Sequence, residues 1–244
     1  MSASEAIDVW EVESVLAAVG LSALSESRVM SYLLHIDATS FDAESISRRV
    51  ARSFLDGWTG EVVHRDLAAA PIPHLTAAGI SSRLTDPAGH TPEEAEAAAL
   101  QDELVEEFLG AAGYLFTVPL YNYGIPSSFK AWLDQVVIFG RTYSMPDGPP
   151  PAAERPALVI SSRGGAYGPG APHEGRDHLV PNLREILERE LGLALEFITV
   201  EFGLAPVVPV LAQFRGLHDA SLAEAHAQAR KHGENFTSRR SPAA

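Results

Sequence analysis

Short apolar runs alternate with longer amphipathic stretches along the chain from about residue 31 onward. Apolar runs bounded by turn residues are typical of buried strands, and apolar positions spaced three and four apart predict helices. The apolar runs predict five strands, at residues 31–36, 61–65, 114–119, 157–161 and 195–201. The amphipathic stretches predict five helices, at residues 43–58, 92–112, 127–139, 177–191 and 222–233.

The alternation of these strands and helices defines the expected fold class. Strands separated by helices are the signature of β-α units stacked on a parallel sheet. Five such units favour an α/β fold with a doubly wound sheet in the strand order 2-1-3-4-5 and helices on both faces. A length of 244 residues suits one large domain, which we place at residues 30–240.

Residues 1–29 are predicted to be an acidic N-terminal extension of that domain. The segment carries five carboxylates against a single basic residue, Arg28. One interpretation is a loosely docked tail. The other is a short amphipathic helix that packs on a neighbouring subunit or lies at the edge of the functional site.

Composition and charge exclude several classes of function. The net charge of -14, from 18 basic and 32 acidic residues, disfavours a nucleic-acid partner because no basic patch offsets it. The two lysines, Lys130 and Lys231, do not form a phosphate-binding G-x-x-x-x-G-K-[ST] motif. The absence of cysteine excludes disulfides, thiolate catalysis and iron–sulfur clusters. No apolar run is long enough to span a membrane and no secretory signal is present, so we expect a cytoplasmic protein.

Three loops at the carboxyl ends of strands 1, 3 and 4 carry the candidate chemistry, because ligands of such sheets bind where the strand order reverses. In the first loop, hydroxyls at Thr39, Ser45 and Ser47 meet the start of a helix, where amides and the helix dipole can bind a phosphate. Such hydroxyls are also common helix caps.

The second and third loops suit a flat heterocyclic ring. Tyr121 and Tyr123 flank Asn122 directly after a strand, which favours ring stacking and an amide contact, although the tyrosines can equally cap the core. The third loop has Gly164 and Gly165, whose backbone amides can approach a ligand closely. Beside them, Arg163 can either anchor the turn or face the ring.

The spacing of the candidate residues argues against a zinc site and against a serine nucleophile. His173 and His178 are five residues apart, which would point them away from each other on a helix and so argues against a zinc site. No G-x-S-x-G nucleophile motif exists. His35 and His64 lie within predicted strands, where we expect core or packing roles.

Over most of its length, the sequence resembles the flavodoxin-like FMN-dependent NADH azoreductases, also called NADH:quinone oxidoreductases. The resemblance rests on three segments of the sequence, V-H-R-D-L with P-I-P at residues 63–73, P-L-Y-N-Y-G-I-P at residues 119–126, and S-S-R-G-G at residues 161–165. It implies that FMN is bound by a set of loop residues: Thr39, Ser45, Ile46, Ser47, Leu120, Tyr121, Asn122, Tyr123, Ser162, Arg163, Gly164 and Gly165. Asp37, beside the phosphate loop, would have to point away from a phosphate.

The resemblance further implies an enzyme in which NADH or NADPH reduces FMN and a quinone, azo compound or related conjugated acceptor then takes the hydride. Asn122 and Tyr123 are the expected catalytic residues, no metal is implied, and a homodimer is expected with the site at the subunit interface. Two alternatives stay open. One is a flavodoxin-like electron carrier without a substrate of its own, and the other is a reductase specialised for a biosynthetic step.

Overall fold

The computed structural model describes residues 32–41 and 45–240 and contains a five-stranded parallel sheet. The strand order is β2-β1-β3-β4-β5, which confirms the predicted order and fold class. The extension at residues 1–29 lies outside the described residues, as do residues 43–44 of the first predicted helix. The strands are β1 (Tyr32–Asp37), β2 (Glu61–Asp66), β3 (Ala111–Thr117), β4 (Pro156–Ser162) and β5 (Ala194–Val200).

All five predicted helices have a counterpart, with shifted ends. Three short segments of the described chain were not predicted: a helix at Ala77–Ser81 and two 3₁₀ turns, at Pro87–Gly89 and Pro209–Phe214. The predicted helix at residues 177–191 is a short α-helix that continues as a π-helix at Arg184–Glu190. The α-helices are α1 (Ile46–Gly57), α2 (Ala77–Ser81), α3 (Pro92–Gly110), α4 (Ser127–Val136), α5 (Leu179–Leu183) and α6 (Arg215–Arg240).

Helices on both faces bury the sheet. Within β1, Leu33 packs with α1 and α6, whereas Leu34 and Ile36 pack with α3, α4 and α5. The alternation follows from the two-residue period of a strand. The loops that leave the carboxyl ends of the strands therefore stand on a sheet that is held from both sides.

The end of α4 shows how a side chain overrides an apolar pattern. Apolar residues continue to Phe139, which is why the helix was predicted to reach it, but α4 ends at Val136. The Thr142 hydroxyl donates to the carbonyl of Val136 at 2.8 Å and accepts from the amide of Ile138 at 2.9 Å. These bonds satisfy backbone groups that another turn of helix would have used.

The last helix is longer than predicted at both ends, and Gly233 lies within it at a contact with α1. α6 runs to Arg240, and at Gly233 it lies so close to α1 that a Cβ atom would be 2.1 Å from the carbonyl oxygen of Phe54. Gly57 of α1 faces α6 in the same way, with its missing Cβ 2.6 Å from the carbonyl oxygen of Arg230. Two glycines thus set the distance between α1 and α6.

Gly233→Ala is expected to lower the free energy of unfolding by about 1–3 kcal/mol, because the added methyl group forces the two helices apart. Denaturant unfolding measures this loss. Gly216→Ala on the same helix is the control, since a Cβ there meets nothing within 4 Å and alanine favours a helix. Equal stability of the two variants would contradict the close approach of α1 and α6.

Candidate active site

The three candidate loops meet at the carboxyl edge of the sheet. The amide of Ala38 donates to the carbonyl of Thr117, and the amide of Leu120 donates to the carbonyl of Ser162, both at 2.9 Å. The Tyr121 hydroxyl accepts a hydrogen bond from the amide of Ser40 at 3.2 Å, which joins the first loop to the second. The structure thus brings together the three loops that were predicted to form one site.

The start of α1 offers unused hydrogen-bond donors. Ser45 is the N-cap, and its hydroxyl accepts from the amide of Arg48 at 3.3 Å, which confirms the capping role and leaves the hydroxyl proton free to donate. Ser47 is fully buried, and its hydroxyl has no hydrogen-bond partner among the described residues. The amides of Ile46 and Ser47 belong to the first helical turn, which has no intrahelical acceptors. Thr39, in the loop after β1, is also buried.

The carboxylate of Asp37 is held in an ion pair by Arg48, in the first turn of α1. One carboxylate oxygen accepts from the amide of Thr39 at 3.0 Å, and the other pairs with Nε of Arg48 at 2.6 Å. Arg48 also reaches Asp66 at 2.8 Å and the carbonyl of Thr39 at 3.3 Å. Burial raises the pKa of Asp37, against the opposing effects of the Thr39 amide and the Arg48 guanidinium. This ion-pair network removes the expected conflict between an acidic residue and a phosphate.

His35 and His64 lie beside this network. His35 is buried as predicted, whereas the side chain of His64 is half exposed and stacks on it with ring centroids 4.6 Å apart. With Asp37, the two histidines could group around a metal ion. The Arg48 guanidinium, however, already occupies Asp37 and would repel a cation. The cluster is therefore better described as a packed polar network.

Burial lowers the pKa of His35 to about 3, with further lowering by the charges of His64 and Arg48. As the pH falls below about 6.5, the unfolded chain takes up a proton at this position that the folded protein does not. The free energy of unfolding should therefore fall by about 1 kcal/mol per pH unit from this residue alone, down to about pH 3.

Denaturant unfolding of the parent protein and His35→Gln at neutral and mildly acidic pH tests this expectation. The variant should lose part of the acid sensitivity, whereas His74→Gln, at an exposed histidine, should retain all of it. The same pH dependence in the parent protein and in His35→Gln would show that His35 does not stay neutral in the folded state.

The second loop is a two-residue turn with a strained backbone. Tyr121 and Gly124 exchange two backbone hydrogen bonds at 3.0 Å, and Asn122 and Tyr123 between them have φ angles of 48° and 69°. Asparagine tolerates this left-handed region, but tyrosine is disfavoured there by about 1–2 kcal/mol. Strain of this kind is concentrated at binding and catalytic sites.

Aromatic and cationic side chains surround Tyr123. The Arg176 guanidinium lies 4.2 Å from the centre of the Tyr123 ring, and the rings of Tyr167 and His173 lie 6.3 and 6.5 Å away. The backbone carbonyl of Tyr123 accepts from the amide of His178 at 3.0 Å. Tyr123 does not cap the core, since 36% of it is exposed, and its assignment to the site stays a prediction.

The third loop presents backbone amides. The carbonyls of Gly164 and Gly165 accept hydrogen bonds from the segment after β5, while their amides have no acceptor within the described part of the chain. A Cβ at Gly164 would lie 2.8 Å from Leu204, and one at Gly165 would lie 2.9 Å from His173. Arg163 is buried and pairs with Asp177 at 2.8 Å, so it anchors the loop.

Sequence reasoning missed several residues around these loops. Arg48, Tyr167 and Arg176 belong to no motif that was recognised in the sequence. Arg48 and its acidic partners sit on neighbouring elements that only the strand order brings together. A run of polar residues after β4 was the one available signal for the other two.

The described helices include none that is long and apolar enough to cross a membrane. A family model described as the flavodoxin-like fold matches residues 31–232. The chain therefore belongs to the flavodoxin-like family, as its strand order and loop arrangement indicate.

Among individual relatives, an FMN-dependent NADH:quinone oxidoreductase of Parafrankia sp. (strain EAN1pec) is 44% identical over 206 residues, covering 82% of this chain and 98% of the relative. A protein of the same name from Streptomyces coelicolor is 40% identical over 217 residues, covering 86% and 97%. The structure of an azoreductase from Bacillus anthracis str. Sterne has a TM-score of 0.71 at 23% identity, covering 84% of this chain and 100% of that one. Within the flavodoxin-like family, the chain belongs with the FMN-dependent NADH:quinone oxidoreductases.

Proposed function

We propose that this protein is an FMN-dependent oxidoreductase that uses NADH to reduce quinones, azo compounds or related conjugated acceptors. The observation that carries the proposal is the set of unsatisfied donors on one edge of the sheet, namely the Ser47 hydroxyl and the amides of Gly164 and Gly165. The Ser47 hydroxyl is buried, and a buried donor without a partner costs free energy, so a ligand that accepts from it would stabilise the protein. The names of the relatives supply the identity of that ligand.

The helix start fits the phosphate end of FMN. Thr39, Ser45 and Ser47 offer hydroxyls, and the first-turn amides at Ile46 and Ser47 add donors at the positive end of the helix dipole. No lysine lies near this site in sequence, and the guanidinium of Arg48 is already paired with Asp37 and Asp66. A phosphate would therefore be held mainly by neutral donors and the dipole.

The other two loops fit the ring end. The turn formed by Leu120, Tyr121, Asn122 and Tyr123 would contact the flat face of the ring, and the backbone of Ser162, Gly164 and Gly165 would contact its polar edge. Arg163 fixes the third loop through Asp177 and is assigned a positioning role. The arrangement needs no side chain that donates or accepts a proton in the reaction.

When bound, FMN would be the carrier that accepts a hydride from NADH and delivers it to a second substrate. The protein's own part is to orient the reactants. Asn122 and the Gly164 and Gly165 amides hold the ring edge, and Tyr123 covers part of the site and excludes water. Its hydroxyl bonds to no described residue and is available to a substrate carbonyl.

The competing function is a flavodoxin-like electron carrier. The purified protein should be yellow, release FMN on denaturation and turn over NADH with menadione when no partner protein is present. A colourless protein that cannot be reconstituted with FMN would contradict the cofactor proposal. Turnover that requires an added redox protein would favour the carrier.

We infer a homodimer with the site at the subunit interface, which the resemblance to the family supports. The dimer should bind FMN and be active, and dilution below its dissociation constant should release FMN and abolish activity together. Analytical ultracentrifugation of the active holoenzyme checks this, and a stable active monomer would contradict it. The cytoplasmic location stays a prediction that cell fractionation tests.

A further inference from the structure

A cavity of about 640 Å³ opens beside the strained turn of the second loop. Its walls combine apolar surface, from Ile125 and Pro126, with polar groups from two helices and the turn. We call it the Lys130 cavity, after the cation on its α4 wall. It is lined by Tyr121, Asn122, Gly124, Ile125, Pro126, Ser127, Lys130, His178 and Asn182.

The cavity carries a lysine in a strongly acidic protein. Lys130 is one of only two lysines in a chain of net charge -14, and His178 also lines the cavity. Arg176, two residues from His178, stacks on Tyr123 and has no carboxylate partner among the described residues. The nearest carboxylate in sequence, that of Asp177, is paired with Arg163.

Lys130 is available to a ligand although it already has a partner. Its ammonium pairs with Asp134 one turn along α4, and both side chains are substantially exposed. An exposed pair of this kind contributes about 0–1 kcal/mol, so an incoming anion can compete for the ammonium. The amides of Asn122 and Asn182 are further hydrogen-bond donors to the same space.

We propose that the Lys130 cavity is an acceptor subsite that selects aromatic acceptors carrying a carboxylate or a sulfonate. The inference rests on the proposed function and names its substrate class. The apolar wall would contact the aromatic ring, and the ammonium of Lys130 would pair with the anionic substituent. The acceptor gains a hydride, which NADH supplies and which leaves NAD⁺, together with a proton from water at its reducible group, and the anionic substituent is unchanged.

A matched pair of quinones tests the selection in the holoenzyme. We expect Lys130→Gln to lower the ratio of kcat/KM for 1,4-naphthoquinone-2-sulfonate to that for menadione by about fivefold, as loss of one surface charge pair would do. Lys130→Arg should restore most of the ratio. Lys231→Gln, which removes the other lysine on α6, is the charge-matched control and should leave the ratio unchanged. The effect should weaken as salt is raised.

A binding measurement separates the subsite from turnover. Calorimetry with the redox-inert naphthalene-2-sulfonate should show weaker binding to Lys130→Gln than to the parent holoenzyme, whereas the neutral naphthalene-2-sulfonamide should bind both equally. Equal binding of the sulfonate to both proteins would overturn the proposal. So would a lower rate of reduction by NADH in Lys130→Gln with unchanged sulfonate binding, because the cation would then serve the dinucleotide.

The two possible failures are distinguishable. If the parent protein reduces menadione with NADH but the sulfonate ratio does not respond to Lys130→Gln, only the subsite is wrong. If the parent protein does not reduce menadione at all, the proposed function is wrong, while the calorimetric comparison of sulfonate and sulfonamide still decides whether the cavity binds anions.

Discussion

Ser47→Ala is expected to weaken FMN binding about 10- to 100-fold, because hydrogen bonds to a charged group contribute about 1.5–3 kcal/mol. The hydroxyl of Ser47 is buried and has no partner in the described structure, so its removal should leave the stability of the apoprotein unchanged or slightly raised. Fluorescence titration with FMN and denaturant unfolding of the apoprotein measure the two effects separately.

A second serine on α1 provides the control for Ser47. Ser53 is also buried, but its hydroxyl is hydrogen-bonded to Nδ1 of His226 on α6 at 2.7 Å. Ser53→Ala should therefore lower stability by about 1 kcal/mol and leave FMN affinity unchanged. If Ser47→Ala instead destabilises the apoprotein and binds FMN normally, Ser47 does not hold the phosphate.

Tyr123→Ala is expected to weaken FMN binding about tenfold, because the ring that covers the site is lost. Tyr123→Phe keeps the ring and should retain FMN while changing acceptor turnover several-fold, as expected for one hydrogen bond in the transition state. Both variants keep a residue with a Cβ at a φ of 69°, so the backbone strain is common to them. The FMN dissociation constant and steady-state kinetics with several acceptors separate the two roles.

If Tyr123→Phe and the parent protein reduce every acceptor at the same rate, the hydroxyl of Tyr123 has no catalytic role. Tyr123 would then be assigned only to packing in the site. Normal FMN affinity in Tyr123→Ala would remove the residue from the cofactor site altogether.

The sequence was sufficient to predict the sheet and the three loops, because strand burial and loop position follow from local patterns. The apolar runs of β1 and β3 predict buried parallel strands. The residues after each strand then necessarily share one edge of the sheet. The last helix was predicted to end at residue 233 but continues to Arg240, and only the close approach of α1 explains a glycine within it.

Contacts between distant segments could not be predicted from the sequence. The pairing of Arg48 with Asp37 and Asp66 depends on the placement of α1 over two neighbouring strands. The position of Arg176 over Tyr123 depends on the path of an irregular segment and on a turn with two positive φ angles. Neither arrangement leaves a periodic signal in the sequence, so the side chains that surround the loops became known only from the structure.

The three loops are proposed to hold FMN in a state that NADH can reduce. Anaerobic stopped-flow mixing of the yellow holoenzyme with NADH measures this directly through the flavin absorption band. The proposed function predicts that NADH bleaches the bound flavin and that subsequent mixing with menadione restores the band. A holoenzyme whose flavin band is unchanged by NADH would contradict the account.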